Sequence, residues 1–110
     1  MQSFHSESIE RLYQAIMLLK SEEECAAFFE DLCTIMELQD MSQRLDAALM
    51  LKKGFNYQTI SKEIGISTAT ISRVSKCINY GSGGYNTVIE RLLGSEEASQ
   101  KPSADGRNNG

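Results

Sequence analysis

At 110 residues the chain has the length of one domain. A core that small gains stability from association with a second copy. No stretch approaches the ~20 apolar residues of a membrane-spanning helix, and the start MQSFHSESIE lacks the basic and apolar runs of a secretory leader. The net charge of −4 would speak against a nucleic-acid partner if it were evenly spread. It is not. Residues 1–41 carry nine acids and two bases, residues 42–80 six bases and two acids, and residues 81–110 three bases and four acids. A basic middle third in an acidic chain points towards a nucleic-acid face, although a solvated helix face produces the same pattern.

Residues 6–20 set Ile9, Leu12, Tyr13, Ile16 and Leu19 at spacings of three and four, which predicts an amphipathic helix. Ser21 to Glu24 has the form of a capping box and opens a second helix, with Cys25, Phe28, Phe29, Leu32 and Cys33 on its apolar side. The carboxylates of its first turn suit the positive end of the helix dipole. Thr34 to Glu37 repeats the box, so a third helix starts there and runs to about Lys53, where Gly54 stops it. Its stripe is Leu38, Met41, Leu45, Ala48 and Leu49. The run from Ala47 to Leu51 is apolar on every side and needs cover on every side. A central position in the core would give that cover, and so would a partner subunit; the small size of the chain favours the partner.

The three cysteines, Cys25, Cys33 and Cys77, are odd in number and show no C-x-x-C spacing. That speaks against a disulfide framework, and a reducing, cytoplasmic setting fits better. Cys25 and Cys33 read as small hydrophobes. With His5 the sole histidine, a metal site has too few ligands, and no cofactor is expected. The single proline leaves long helices uninterrupted.

The segment YQTISKEIGISTATISRVSKCINYG predicts a short helix from Tyr57 to Ile64, a turn at Gly65, and a second helix from about Thr68 to Tyr80. Asn56 and Ser67 are suited to cap the two helices. Ile60 and Ile64 face inward, Ser61 is small where the helices meet, and Gly65 allows a positive φ. Ile66 plugs the core under the turn, and Ile71 and Val74 look back at the first helix. Thr68, Ala69, Ser72, Arg73 and Lys76 are left facing outward, and no carboxylate occurs between Ser67 and Gly84. Such a face suits the major groove of double-stranded DNA, where an acid would meet phosphate repulsion. Ser67 and the N–H groups at that helix start can hold a phosphate. Lys52, Lys53 and Lys62 are expected to contact phosphates, Thr68, Ala69 and Ser72 to face base edges, and Arg73 and Lys76 to reach phosphate or guanine. Gly81 to Gly84 breaks the chain, and residues 85–93 form a last short helix. Residues 94–110, poor in large apolar side chains, are expected to be a disordered tail after a single all-helical domain spanning 1–93.

The sequence resembles the YerC/YecD-type branch of the proteins related to Trp repressor, over residues 12–85. The stretches AAFFEDLCT, ATISRV and INYGSGGY carry most of the likeness. The resemblance implies an all-α fold, a Trp-repressor-like helical bundle in which two chains intertwine as a homodimer, with a DNA-reading head after Gly54. It implies a transcriptional regulator of repressor type. It also implies places for an effector: Arg44 and Arg73 stand where Trp repressors have the two arginines beside tryptophan, and Thr34 where they have a threonine. Two arginines can hold a small carboxylate. The sequence departs from that pattern at Val74, where the repressors have a glycine that leaves room for the indole, and at Cys77, where they have a serine. Both departures speak against tryptophan. The plainer readings are an ion pair for Arg44 and a phosphate contact for Arg73.

An enzyme would need a nucleophile with its base, a metal or a paired-carboxylate cleft, and none of these is evident. The stronger rival to DNA reading is a helical adaptor docking a basic partner through its acidic N-terminal helices. An adaptor has no reason to keep acids off residues 67–76.

Overall fold

Short polar side chains set the helix starts. Ser6 Oγ accepts a hydrogen bond from the Ile9 N–H (3.1 Å) and opens α1, Glu7–Met17. Ser21 Oγ does the same for the Glu24 N–H (3.1 Å) at α2, Glu22–Leu32. The Glu24 carboxylate reaches back to the Lys20 N–H (2.8 Å), one residue earlier than a standard capping box would place it. At α3, Ile35–Lys52, the box is reciprocal. Thr34 Oγ1 accepts from the Glu37 N–H (3.1 Å), and Glu37 Oε1 accepts from the Thr34 N–H (2.8 Å). Asn56 Oδ1 accepts from the Thr59 N–H (2.8 Å) at α4, Tyr57–Ile60, and Ser67 Oγ from the Thr70 N–H (3.1 Å) at α5, Thr68–Tyr80. The last helix is α6, Gly84–Gln100. The computed structural model describes residues 6–100, with side chains to residue 96. Among these residues every regular element is a helix.

The described residues fall into two compact units that divide after Arg44. The first holds α1, α2 and the beginning of α3. The rings of Phe28 and Phe29 meet edge to face there, with centroids 5.6 Å apart. No residue of α1 or α2 is buried. Met17, Leu18, Ile35 and Met36 are 81, 74, 69 and 64% exposed, so this unit carries apolar surface that it does not cover itself.

The second unit has two buried clusters. Ala47 packs with Ile60 and Ile71, flanked by Met50, Leu51, Ile64 and Ile66. Ala48 packs with Val74 and Ile89, flanked by Leu49, Leu51, Ile78, Tyr85 and Leu93. Ala47 and Ala48 therefore find their cover inside their own unit, from α4, α5 and α6, while Leu49, Met50 and Leu51 of the same apolar run stay half-buried.

Two expectations are corrected. The helix predicted over 57–64 keeps its span but not its regular winding: after Ile60 it widens into a π-helical turn, Ser61–Gly65. The Ser61 hydroxyl donates to the Ile66 carbonyl (2.6 Å) and ties that turn to the chain beyond it. The last helix does not stop at residue 93 but continues to Gln100, because Glu96, Glu97, Ala98 and Gln100 are strong helix formers and outweigh the cost of Gly94 and Ser95. Residues 101–110, the rest of the expected tail, and His5 lie outside the described residues.

Gly65 adopts φ = 87°, a conformation that costs an L-residue about 1–2 kcal/mol. A Cβ there would meet no atom within 4 Å, so the cost is one of backbone strain alone. Gly65→Ala is expected to lower stability by about 1–2 kcal/mol in urea denaturation, and Gly65→Asn by less, since Asn tolerates this region.

Candidate nucleic-acid interface

The helix, turn and helix formed by α4, Gly65–Ser67 and α5 stand on the first cluster. Ile60 and Ile71 are fully buried and join the two helices beneath the turn, while Ile64 and Ile66 pack around them. Along α5, Ile71 and Val74 are buried and Ser75 and Ile78 half-buried, a repeat of three and four residues that gives the helix one inward side. Thr68, Ala69, Ser72, Arg73 and Lys76 are all exposed, and so are Lys52, Lys53 and Lys62. The expected outward face is thus outward in the structure.

At the start of α5 the Ser67 hydroxyl is engaged. It accepts from the Thr70 N–H and shares a hydrogen bond of 3.0 Å with Thr70 Oγ1. The Ile71 N–H goes to the Ser67 carbonyl (3.1 Å). The N–H groups of Thr68 and Ala69 have no acceptor among the described residues, which leaves two donors pointing out of a helix start. Such an end attracts an anion, and the nearest acid before it is Glu63.

Exposed neighbours that sequence reading did not assign to DNA contact extend this surface. Asn79, Cys77 and Tyr80 lie exposed beyond Lys76, Tyr80 at 81%. Phe55 and Tyr57 are exposed next to Lys52 and Lys53. Aromatic residues among cations were available as a signal in the string KKGFNY, but spacing alone does not tell an exposed aromatic from a core one.

The family model for Trp repressor protein matches residues 7–93. The chain belongs to the Trp repressor family. Among its relatives is the uncharacterized protein YerC of Bacillus subtilis (strain 168), 48% identical over 94 residues that cover 84% of this chain and 90% of that one. Two crystal structures are similar in fold. The TrpR-like protein of Eubacterium eligens ATCC 27750 has a TM-score of 0.76 and 48% identity, over 79% of this chain and 90% of its own. A candidate Trp repressor of Staphylococcus aureus has a TM-score of 0.77 and 44% identity, over 81% and 89%. The fold is accordingly the Trp-repressor-like helical one.

The three positions that the Trp repressor likeness assigns to an effector, Thr34, Arg44 and Arg73, are each exposed. Thr34 caps α3 in the first unit, with both its N–H and its Oγ1 engaged by Glu37. Arg44 is exposed and forms no ion pair among the described residues. Arg73 is exposed on α5 in the second unit. Val74 is 2% exposed and fills the space between Ala48 and Ile89. Among the described residues no group of three or more His, Cys, Asp and Glu side chains could hold a metal ion. No helix there is long and apolar enough to cross a membrane.

Proposed function

We propose that the chain is a sequence-specific DNA-binding transcriptional regulator of the cytoplasm that acts as a homodimer and places α5 in the major groove. The observation that carries this reading is the outward face of α5, which is exposed, acid-free and begins at unsatisfied N–H donors. Membership of the Trp repressor family supports it. Thr68, Ala69 and Ser72 would face base edges, Arg73 and Lys76 would reach guanine or phosphate, and Lys52, Lys53, Lys62 and Ser67 would orient the head on the backbone. The uncovered apolar residues of the first unit, Met17, Leu18, Ile35 and Met36 foremost, support burial against a second copy.

The test is selection of bound fragments from sheared genomic DNA at ~100 mM salt, with a Thr68/Ser72/Lys76 triple alanine variant as control. Enrichment of a two-fold symmetric motif, lost in the variant, is the expected result. With one selected fragment, affinity should fall steeply with salt, and Lys76→Ala should lower the logarithmic slope by about one if Lys76 neutralises a phosphate. A salt-independent interaction, or enrichment of basic proteins in place of DNA, would favour the adaptor reading.

Tryptophan is not the proposed effector. The side chain of Val74 already occupies core volume between Ala48 and Ile89, so an indole there would have to displace packed atoms, at a cost of about 1–3 kcal/mol or more. Calorimetric titration with tryptophan is expected to show no binding in the micromolar range; a micromolar dissociation constant would reverse this.

A further inference from the structure

The far end of α5 is held by groups that follow it in the chain. The Gly81 N–H donates to the Cys77 carbonyl (2.9 Å), and a Cβ on Gly81 would collide with that same carbonyl oxygen. The next carbonyl, that of Ile78, is taken by a side chain. Asn86 Nδ2, in the first turn of α6 and eight residues on, donates to it at 3.0 Å. Between the two helices lie Gly81, Ser82 and Gly83, with Gly83 at φ = 89° and Gly84 opening α6. A joint so rich in glycine has little stiffness of its own. The start of α6 is closed separately, by Thr87, whose N–H and Oγ1 both donate to the Gly83 carbonyl (3.1 and 3.0 Å).

Asn86 Oδ1 is buried and finds no donor among the described residues. An apolar side chain would fill the position without leaving an acceptor unpaired. The one bond that the carboxamide does make runs to the main chain of α5, so its effect is to fix α5 against α6.

We propose that Asn86 is a positioning residue for DNA reading. Its amide clamps the C-terminal turn of α5 to α6, and this sets the rotation at which residues 68–76 are presented to the groove. The proposal rests on the reading of α5 as the DNA-reading helix. Phosphate contacts tolerate a small rotation of the head and base-edge contacts do not, so the clamp should matter for specific binding and hardly at all for non-specific binding.

The test uses the full chain with Asn86→Asp, which keeps the shape and loses the donor, and Asn86→Ala. Thr87→Val, which removes a bond within the start of α6, is the control. In the free protein, amide hydrogen exchange of residues 79–84 should quicken in both Asn86 variants. With a selected fragment and a scrambled one, specific affinity should fall about fivefold to tenfold. Non-specific affinity and the salt slope should stay at the wild-type values. Thr87→Val should keep the wild-type ratio of specific to non-specific binding. Unchanged exchange and unchanged specific affinity would overturn the proposal. Equal losses of specific and non-specific affinity, in step with a lower urea midpoint, would overturn it too, since that is what a purely structural role gives. If the wild-type chain itself binds no fragment, the parent reading fails and the proposal with it, whatever the exchange data show.

Discussion

Ile71→Ala is expected to destabilise the second unit by about 2–5 kcal/mol, towards the upper part of that range. Ile71 is fully buried and packs with Ala47 and Ile60. The cost of such a truncation depends on whether the neighbours can move into the space, and here they cannot easily do so. Ala47 is a methyl group on a rigid helix, with nothing to swing inward. Ile60 is branched at Cβ and stiff about χ1. It also lies just before the π-helical turn that Ser61 ties to the Ile66 carbonyl. A domain is stable by only about 5–15 kcal/mol in total, so the loss should be plain in urea denaturation followed by far-ultraviolet circular dichroism. Ile71→Val, which removes one methylene, should cost about 0.5–1.5 kcal/mol. A loss below about 1 kcal/mol for Ile71→Ala would mean that the cluster collapses around the gap, and that this residue does not hold α4 and α5 together.

The part of this structure that is legible in the sequence is the part fixed by short-range bonds and by helical period. Ser21, Thr34, Asn56 and Ser67 each cap a helix through a bond spanning three residues, and a bond of that range can be read from adjacent letters. The outward face of α5 follows from the inward spacing of Ile71, Val74 and Ile78, so the candidate interface was also within reach. What escaped depends on more than adjacent letters show. The cover of Ala47 and Ala48 comes from Ile60, Ile71, Val74 and Ile89, and a local pattern that shows a helix apolar all round does not say whether the cover comes from the same chain. The π-helical winding of 61–65 accompanies the bond from Ser61 to Ile66 beyond it. Gly94 and Ser95 look like a stop, yet Gly94 lies within α6 without a positive φ, carried by helix formers on both sides. Asn86 looks like any polar residue of a helix start until its bond to Ile78 is seen.

Ser72→Glu is expected to lower affinity for a selected DNA fragment at least about a hundredfold while leaving the folded protein intact. Like charges brought together at an interface cost several kcal/mol, and each 1.4 kcal/mol is about tenfold in affinity. Ser72 lies in the middle of the outward face, between Ala69 and Lys76 and next to Arg73, so a carboxylate there would enter the groove with the helix. In the free protein the same carboxylate would stand four residues before Lys76. That arrangement supports a helix by about 0.2–0.5 kcal/mol, so stability should hold or rise slightly. Loss of binding and loss of folding are thereby separated. Ser72→Ala removes a hydroxyl without adding charge, and its loss should stay within the ~1–3 kcal/mol of one base contact. Ser95→Glu adds the same charge at an exposed position of α6, far along the chain from the reading face, and should have little effect. If Ser72→Glu and Ser95→Glu weaken binding equally, the loss reflects net charge and α5 is not the reading helix. If only Ser72→Glu does so, the repulsion is local, and the absence of acids along α5 is explained by what that helix must enter.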